Sequence, residues 1–282
     1  MTFILPKTDD CFKELFRDET VCKYFIHDVL GIPLEEIKSI RQENPFLWKN
    51  HKRQKQGILD IFLELHNHTK INIEIQLKHP KYWDKRQLFY LSKMYTADLL
   101  IGENYAKLNH CISIALLDFN LSARPEYHSV YKLRDSSGNI FSDIFEIHII
   151  ELRKSLSENH PLNDWIRFFN AESEEDLAMI KTKNPGIKRA IEELKYFSLN
   201  PHLKLRFEAY LKEKRDQQAI EEYARDQAFD EGFALSVFIM DNLEQGTDRD
   251  QIIQKMVHYF SLSEKDAEKY YNKYITLNGE HP

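Results

Sequence analysis

Two adjacent segments constrain this chain more than anything else in it: Ile58-Leu59-Asp60-Ile61-Phe62-Leu63-Glu64-Leu65 and Lys70-Ile71-Asn72-Ile73-Glu74-Ile75-Gln76-Leu77-Lys78. The second alternates strictly. Ile71, Ile73, Ile75 and Leu77 share one face and Asn72, Glu74, Gln76 and Lys78 the other, which is the period of a half-buried strand. The first is strand-like too, yet it sets Asp60 among apolar neighbours, where a carboxylate is costly unless paired. The polar turn His66-Asn67-His68 lies between them, so the two segments predict a β-hairpin.

A three-residue loop at His66–His68 pairs Leu65 with Thr69, and counting back pairs Asp60 with Glu74. Leu59, Ile61 and Leu63 then meet Ile75, Ile73 and Ile71, while Glu64 lies opposite Lys70 as a favourable cross-strand pair. A two-residue loop would shift the pairing by one and set the polar row against the apolar one. The apolar pattern therefore selects the register that puts two carboxylates side by side. Directly opposed residues have Cβ atoms roughly 4.5–5.5 Å apart, a separation that suits two carboxylates sharing one hard divalent cation. Without a positive group between them the pair is destabilising.

At 282 residues, 42% hydrophobic and 30% charged, the chain has the composition of a globular protein with one large domain or a core plus an extension. No run is long enough to span a membrane, and the start MTFILPKTDD lacks the pattern of a signal peptide. Cys11, Cys22 and Cys111 are scattered and odd in number, which argues against a disulfide framework and for a cytoplasmic location. Twelve histidines occur without a CxxC pair or HExxH, so a structural zinc site has little support. The net charge of −6 is uneven. Residues 1–120 carry 17 basic and 16 acidic side chains, and the remainder 22 and 29. Lys49-Asn50-His51-Lys52-Arg53-Gln54-Lys55 forms a dense basic cluster just before the Asp60 segment. Lys52, Arg53 and Lys55 are candidate phosphate contacts, since such contacts need local positive charge only; a solvated loop is the other reading.

A helix is expected from Thr8-Asp9-Asp10 to Gly31-Ile32-Pro33, with capping and acidic residues at its start. A strand follows around Ile37–Phe46, then the hairpin. Residues Tyr82 to Leu100 read as an amphipathic helix with Leu88, Leu91, Tyr95 and Leu99 on its stripe, and Gly102 placed to follow its end. The continuous apolar run Cys111–Phe119 reads as a central strand buried on both faces, and Ile144–Leu152 as another strand. From Ser155 onward the pattern is helical: Trp165 to Phe169, Ile187 to Tyr196, a long charged segment Lys204–Gly232, then Phe233–Leu243 and Asp250–Tyr274. The organisation expected is a core over 1–154, a helical extension over 155–205 and a charged helical region over 206–282.

An Asp on one strand and Glu-x-Gln on its neighbour can be read as a metal-dependent hydrolase site. Asp60 and Glu74 would ligate Mg²⁺ or Mn²⁺, hard cations bound through one or two carboxylates plus substrate phosphate. Gln76 would hold the attacking water, and Lys78 would stabilise charge on the phosphorane. The other reading is that Glu74, Gln76 and Lys78 are the wet side of an edge strand. On the following helix, Arg86, Gln87 and Tyr90 turn toward one side. Arg86 is either a bidentate phosphate grip or an ordinary packing residue, and Tyr90 reads as core.

These residues resemble a known family. Pro6-Lys7-Thr8-Asp9-Asp10-Cys11-Phe12-Lys13 resembles the opening motif of the PD-(D/E)XK nuclease family transposases, also called recombination-promoting or Rpn nucleases. The similarity continues through Asp60-Ile61, Ile73-Glu74-Ile75-Gln76, Arg86-Gln87-Leu88-Phe89-Tyr90 and Gly102-Glu103-Asn104-Tyr105, and more weakly to Trp165–Phe169. The resemblance implies an α/β fold with a restriction-endonuclease-like core, a mixed sheet flanked by helices, and an α-helical C-terminal extension. It also implies Mg²⁺-dependent DNA cleavage tied to recombination or mobile elements. Asp60 and Glu74 match the family's metal-binding acids, Gln76 its third active-site position, and Asp9 its opening acid, for which helix capping is the other reading. Lys7 and Lys13 would contact phosphate or pair with a carboxylate. The wider superfamily usually carries Lys where Gln76 stands. The alternative function is a DNA-binding or interaction protein that keeps the nuclease fold without efficient cleavage. A homodimer is expected if both DNA strands are cut, with no nucleotide cofactor.

Overall fold

Thr8, in extended backbone, hands the chain to α1 (Asp9–Leu15), and Asp18 opens α2 (Glu19–Leu30) by accepting from the Thr20 and Val21 N–H groups at 2.9 and 3.1 Å. The single helix expected here is therefore two, because the Asp18 side chain satisfies donors that a continuous helix would have used internally. Gly31 ends α2 at φ 68°, its N–H donating to the His27 carbonyl at 2.9 Å. The computed structural model describes residues 3–37, 39–43, 46–47, 57–97, 99–156 and 160–278. The chain divides into two units, Met1–Glu208 and Ala209–Pro282.

In the first unit the strands follow as β1 (Ile40–Gln42), β2 (Phe46–Leu47), β3 (Gly57–Ile58), β4 (Ile61–Leu65) and β5 (Lys70–Gln76). Then come α3 (Trp83–Thr96), β6 (Cys111–Leu117), β7 (His128–Arg134) and β8 (Ile140–Glu151). Six of the strands form a mixed sheet in the order β1-β4-β5-β6-β8-β7, with β5–β6 and β6–β8 parallel and the other pairs antiparallel. β2 and β3 pair separately. Of the strand expected over Ile37–Phe46, the described residues show the short β1 and the start of β2. β7 was not expected: Val130 lies on one face and Tyr131 and Leu133 on the other, all three exposed on an edge strand, so only a two-residue apolar row marks it.

The β4–β5 register is Ile61↔Ile73, Phe62↔Asn72, Leu63↔Ile71 and Glu64↔Lys70, and the Leu65 N–H donates to the Thr69 carbonyl. This is the register required by the apolar alternation. One expectation needs correction. β5 is a central strand buried on both faces, with Asn72 and Glu74 as buried as Ile71 and Ile73, because α3 covers the polar row. The wet-edge reading of Glu74 therefore falls.

α3 turns Trp83, Gln87, Leu91 and Met94 inward and leaves Leu88 55% exposed, so the stripe expected through Leu88 is displaced by one residue. Leu91 and Met94 pack with Leu59, Cys111 and Phe62, and Lys70 Nζ donates to the Met94 carbonyl at 3.0 Å. α3 ends at Thr96, and Gly102 turns the chain later at φ 85°.

Helices α4 (Leu162–Asn170), α5 (Glu174–Met179) and α6 (Pro185–Leu199) complete this unit with the first turns of α7 (Pro201–Glu244). Phe12, Phe16, Phe25, Trp165 and Phe169 form one chain of ring contacts among α1, α2 and α4. Asp28 of α2 accepts from Trp165 Nε1 at 2.7 Å and from Asn184 Nδ2 at 2.6 Å. In the second unit, Leu235 and Ile239 of α7 pack with Ile252, Ile253 and Met256 of α8 (Arg249–Phe260) and Ala267 and Tyr271 of α9 (Glu264–Asn278). The two helices read over 204–243 are one, and the one read over 250–274 is two, parted at Ser261 with φ 53°. Among the described residues no helix is long and apolar enough to cross a membrane.

Candidate active site

Counting one step past Ile61↔Ile73 brings Asp60 opposite Glu74. Asp60 is no longer in regular strand. Its carboxylate takes a hydrogen bond from the Ile75 backbone and so extends the ladder by a side chain. Leu59 leaves the alternation here and packs toward α3. The bend turns a strand end into a carboxylate held beside Glu74.

The two acids differ in surroundings. Glu74 is 3% exposed, and its carboxyl is pushed up to about 7, first by burial and then by the negative charge of Asp60. The Arg86 charge and a hydrogen bond from Gln87 oppose the rise. Asp60 is also raised by burial, restrained by Lys13, whose Nζ lies 3.4 Å from Asp60 Oδ1. Lys13 Nζ also lies 2.9 Å from Asp9 Oδ2, and its own pKa is raised: burial opposes the charge, but hydrogen bonds and attraction to Asp9 and Asp60 outweigh it. Asp9 is itself exposed and adds to the negative field at Asp60.

Two residues that the sequence reading did not place in the site complete it. Gln87 Nε2 donates to Glu74 Oε1, and Ser113 Oγ of β6 donates to Gln87 Oε1 at 3.0 Å. The signals were present: Ser113 interrupts an apolar run, and Gln87 precedes Leu88 on a helix that would bury more apolar surface if turned by one residue. Arg86 Nε and Nη2 are buried and have no hydrogen-bond partner among the described residues, a costly state for a guanidinium unless something anionic meets it. Tyr90, read as core, is half-buried, and its hydroxyl pKa is raised by burial, with Arg86, Glu74 and Asp60 within electrostatic reach.

The structure thus brings Asp60, Glu74, Lys13, Asp9 and Arg86 together. Gln76 ends β5, half-buried, one alternation past Glu74. β5 stops there, so the expected continuation of its polar face to Lys78 is corrected: Leu77 and Lys78 form a bend ahead of His79-Pro80, and Lys78 is exposed. Lys7 stands 3.2 Å from Asp118, which Arg153 grips at 3.1 and 3.2 Å. Lys52, Arg53 and Lys55 lie outside the described residues. Among the described residues no group of three or more His, Cys, Asp or Glu could hold a metal ion. The donors that suit a hard divalent cation are the Asp60–Glu74 pair, two oxygen ligands whose mutual repulsion a cation would relieve, with water and phosphate left to complete an octahedral shell.

A family model described as PD-(D/E)XK nuclease family transposase matches residues 6–224. Neither the curated proteins nor the solved structures yielded a significant match.

Proposed function

The chain belongs to the PD-(D/E)XK nuclease family transposases, and from that premise we propose that it is a metal-dependent DNA endonuclease acting in recombination or mobile-element activity. The observation that carries this reading is the Asp60–Glu74 pair: burial raises both carboxyls, the Asp60 charge raises Glu74 further, and Lys13 and Arg86 compensate only in part. Asp60 and Glu74 would hold a divalent cation, Mg²⁺ or Mn²⁺. When bound, that ion supplies Lewis-acid neutralisation of the scissile phosphate and acidifies a water.

The protein's own groups do the rest. Arg86 offers Nε and Nη2, which have no partner among the described residues, to a phosphate. Gln76 orients the attacking water by hydrogen bonding, and Lys78 meets phosphate charge from the exposed bend. Asp9 holds Lys13 near Asp60, where the ammonium favours the ionised carboxylate. Lys13, Lys52, Arg53 and Lys55 would hold the DNA backbone. Cutting both strands would call for two copies.

The test is cleavage of supercoiled plasmid with Mg²⁺, Mn²⁺, Ca²⁺ or EDTA by wild type, Asp60→Ala and Glu74→Ala. Cutting that needs Mg²⁺ or Mn²⁺ and disappears in both variants is expected. No cutting by folded wild type, or equal cutting by the variants, would move the reading to a DNA-binding protein that keeps the fold.

A further inference from the structure

Glu74 is oriented by a relay of buried groups drawn from three elements. Gln87 on α3 is 1% exposed, Ser113 on β6 is 1% exposed and Glu74 on β5 is 3% exposed. The direction of each hydrogen bond follows from chemistry. When Glu74 is ionised, as a cation ligand must be, its carboxylate can only accept, so the amide nitrogen of Gln87 faces it. The amide oxygen then faces β6, where the Ser113 hydroxyl donates to it at 3.0 Å. Ser113 itself is placed by the parallel ladder, paired with Asn72 two residues from Glu74.

The local arrangement runs against the hydrophobic effect. α3 buries an amide and exposes Leu88. Turning Leu88 inward would bury apolar surface that now faces solvent. A helix that forgoes this to place one amide against one carboxylate is shaped by the site it serves.

We propose that Gln87 is a positioning residue for the cation: it engages one oxygen of Glu74, holds the carboxylate in a single orientation toward Asp60, and is itself held in one amide orientation by Ser113. The proposal rests on the reading of Asp60 and Glu74 as cation ligands. Groups that orient metal ligands without touching the metal typically carry a 10–100-fold effect on affinity, roughly.

Mn²⁺ binding to the full-length protein is measured by isothermal titration calorimetry without DNA, alongside thermal melting in EDTA. The set is wild type, Gln87→Leu, Ser113→Ala, the double variant and the control Asp60→Ala. Gln87→Leu is expected to weaken Mn²⁺ binding about 10–100-fold, with Ser113→Ala weakening it in the same direction. The double variant should be no worse than Gln87→Leu alone, because Ser113 acts through Gln87. Unchanged Mn²⁺ affinity in both single variants, with only the EDTA melting temperature lowered, would mean a structural role and overturn the proposal. If Gln87→Leu does not fold, Ser113→Ala decides by the same readout. Wild-type and Asp60→Ala proteins binding Mn²⁺ equally would remove the ligand assignment first and the positioning role with it. Loss in Asp60→Ala together with wild-type affinity in Gln87→Leu and Ser113→Ala would remove the positioning role alone.

Discussion

Lys13 Nζ lies 3.4 Å from Asp60 Oδ1, joining the first helix to the carboxylate that extends the hairpin ladder. The same ammonium stands 2.9 Å from Asp9. It is therefore the cation that restrains the burial-driven rise of the Asp60 pKa. Replacing it by Met removes a favourable charge and leaves the burial in place. The Asp60 pKa should rise further, and the acid limb of the pH–rate profile for plasmid cleavage should move to higher pH. An unmoved acid limb in Lys13→Met would mean that Lys13 does not govern the ionisation of Asp60.

Glu74 gives a stability prediction with a definite sign. Its carboxyl is pushed up to about 7 in the folded protein, from an ordinary 4.5. Between those values the folded state holds a proton that the unfolded state has released. Stability is thus fully present below pH 4.5 and falls as the pH rises toward 7, by ~3 kcal/mol at most. Glu74→Gln cannot ionise and keeps an acceptor for Gln87. It should be more stable than wild type at pH 8 and little different at pH 4, as read by chemical denaturation in EDTA.

His128 pulls the other way. Burial first, then the charges of His148 and His160, push its pKa down to about 4, and His128 Nε2 lies 3.0 Å from His148 Nδ1. The unfolded chain takes up a proton near pH 6.5 that the folded chain resists, so this group's contribution is lost as the pH falls from 6.5 toward 4, by ~3 kcal/mol at most. His128→Gln should flatten that acid-side loss. Because the windows of Glu74 and His128 overlap with opposite slopes, the single variants should tilt the wild-type profile in opposite directions between pH 4.5 and 6.5.

Saturating Mn²⁺ in place of EDTA should raise the wild-type melting temperature, by the equivalent of ~2.7 kcal/mol at 100 times the dissociation constant. Asp60→Ala and Glu74→Gln should show little or none of this gain. A gain of the same size in all three proteins would place the ion elsewhere.

Gly186, near the start of α6, sits where a β-carbon would collide with Tyr24 Cβ of α2. Neither atom can move without its backbone. Gly186→Ala should cost about 1–3 kcal/mol in chemical denaturation through overpacking, despite the better helix propensity of Ala. A neutral or stabilising result would show that α2 and α6 can separate at little cost.

How much of this was legible varies with the range of the interaction that decides it. The hairpin register could be read because only one pairing keeps Ile71, Ile73 and Ile75 opposite apolar partners, and that pairing carries Asp60 to Glu74. The break between α1 and α2 was local but concealed: Asp18 reads equally as a mid-helix acid or a cap, and only its bonds to the Thr20 and Val21 N–H groups decide. β7 carries only the short apolar pair Tyr131 and Leu133 on one face and is defined by its hydrogen bonds to β8.

The amino-acid sequence by itself determined the alternation, and with it the register, the opposed carboxylates and the family to which the chain belongs, because these follow from the order of side chains along neighbouring segments. Tertiary structure decided what covers them. A strand with one polar face is wet at a sheet edge and dry at the centre, and α3 packing on that face made Glu74 a buried acid. The same packing chose Gln87 over Leu88 as the inward residue and brought it to Ser113 from 26 positions away. Burial and hydrogen-bond partners depend on which distant surfaces meet, and periodicity along one segment carries no record of that.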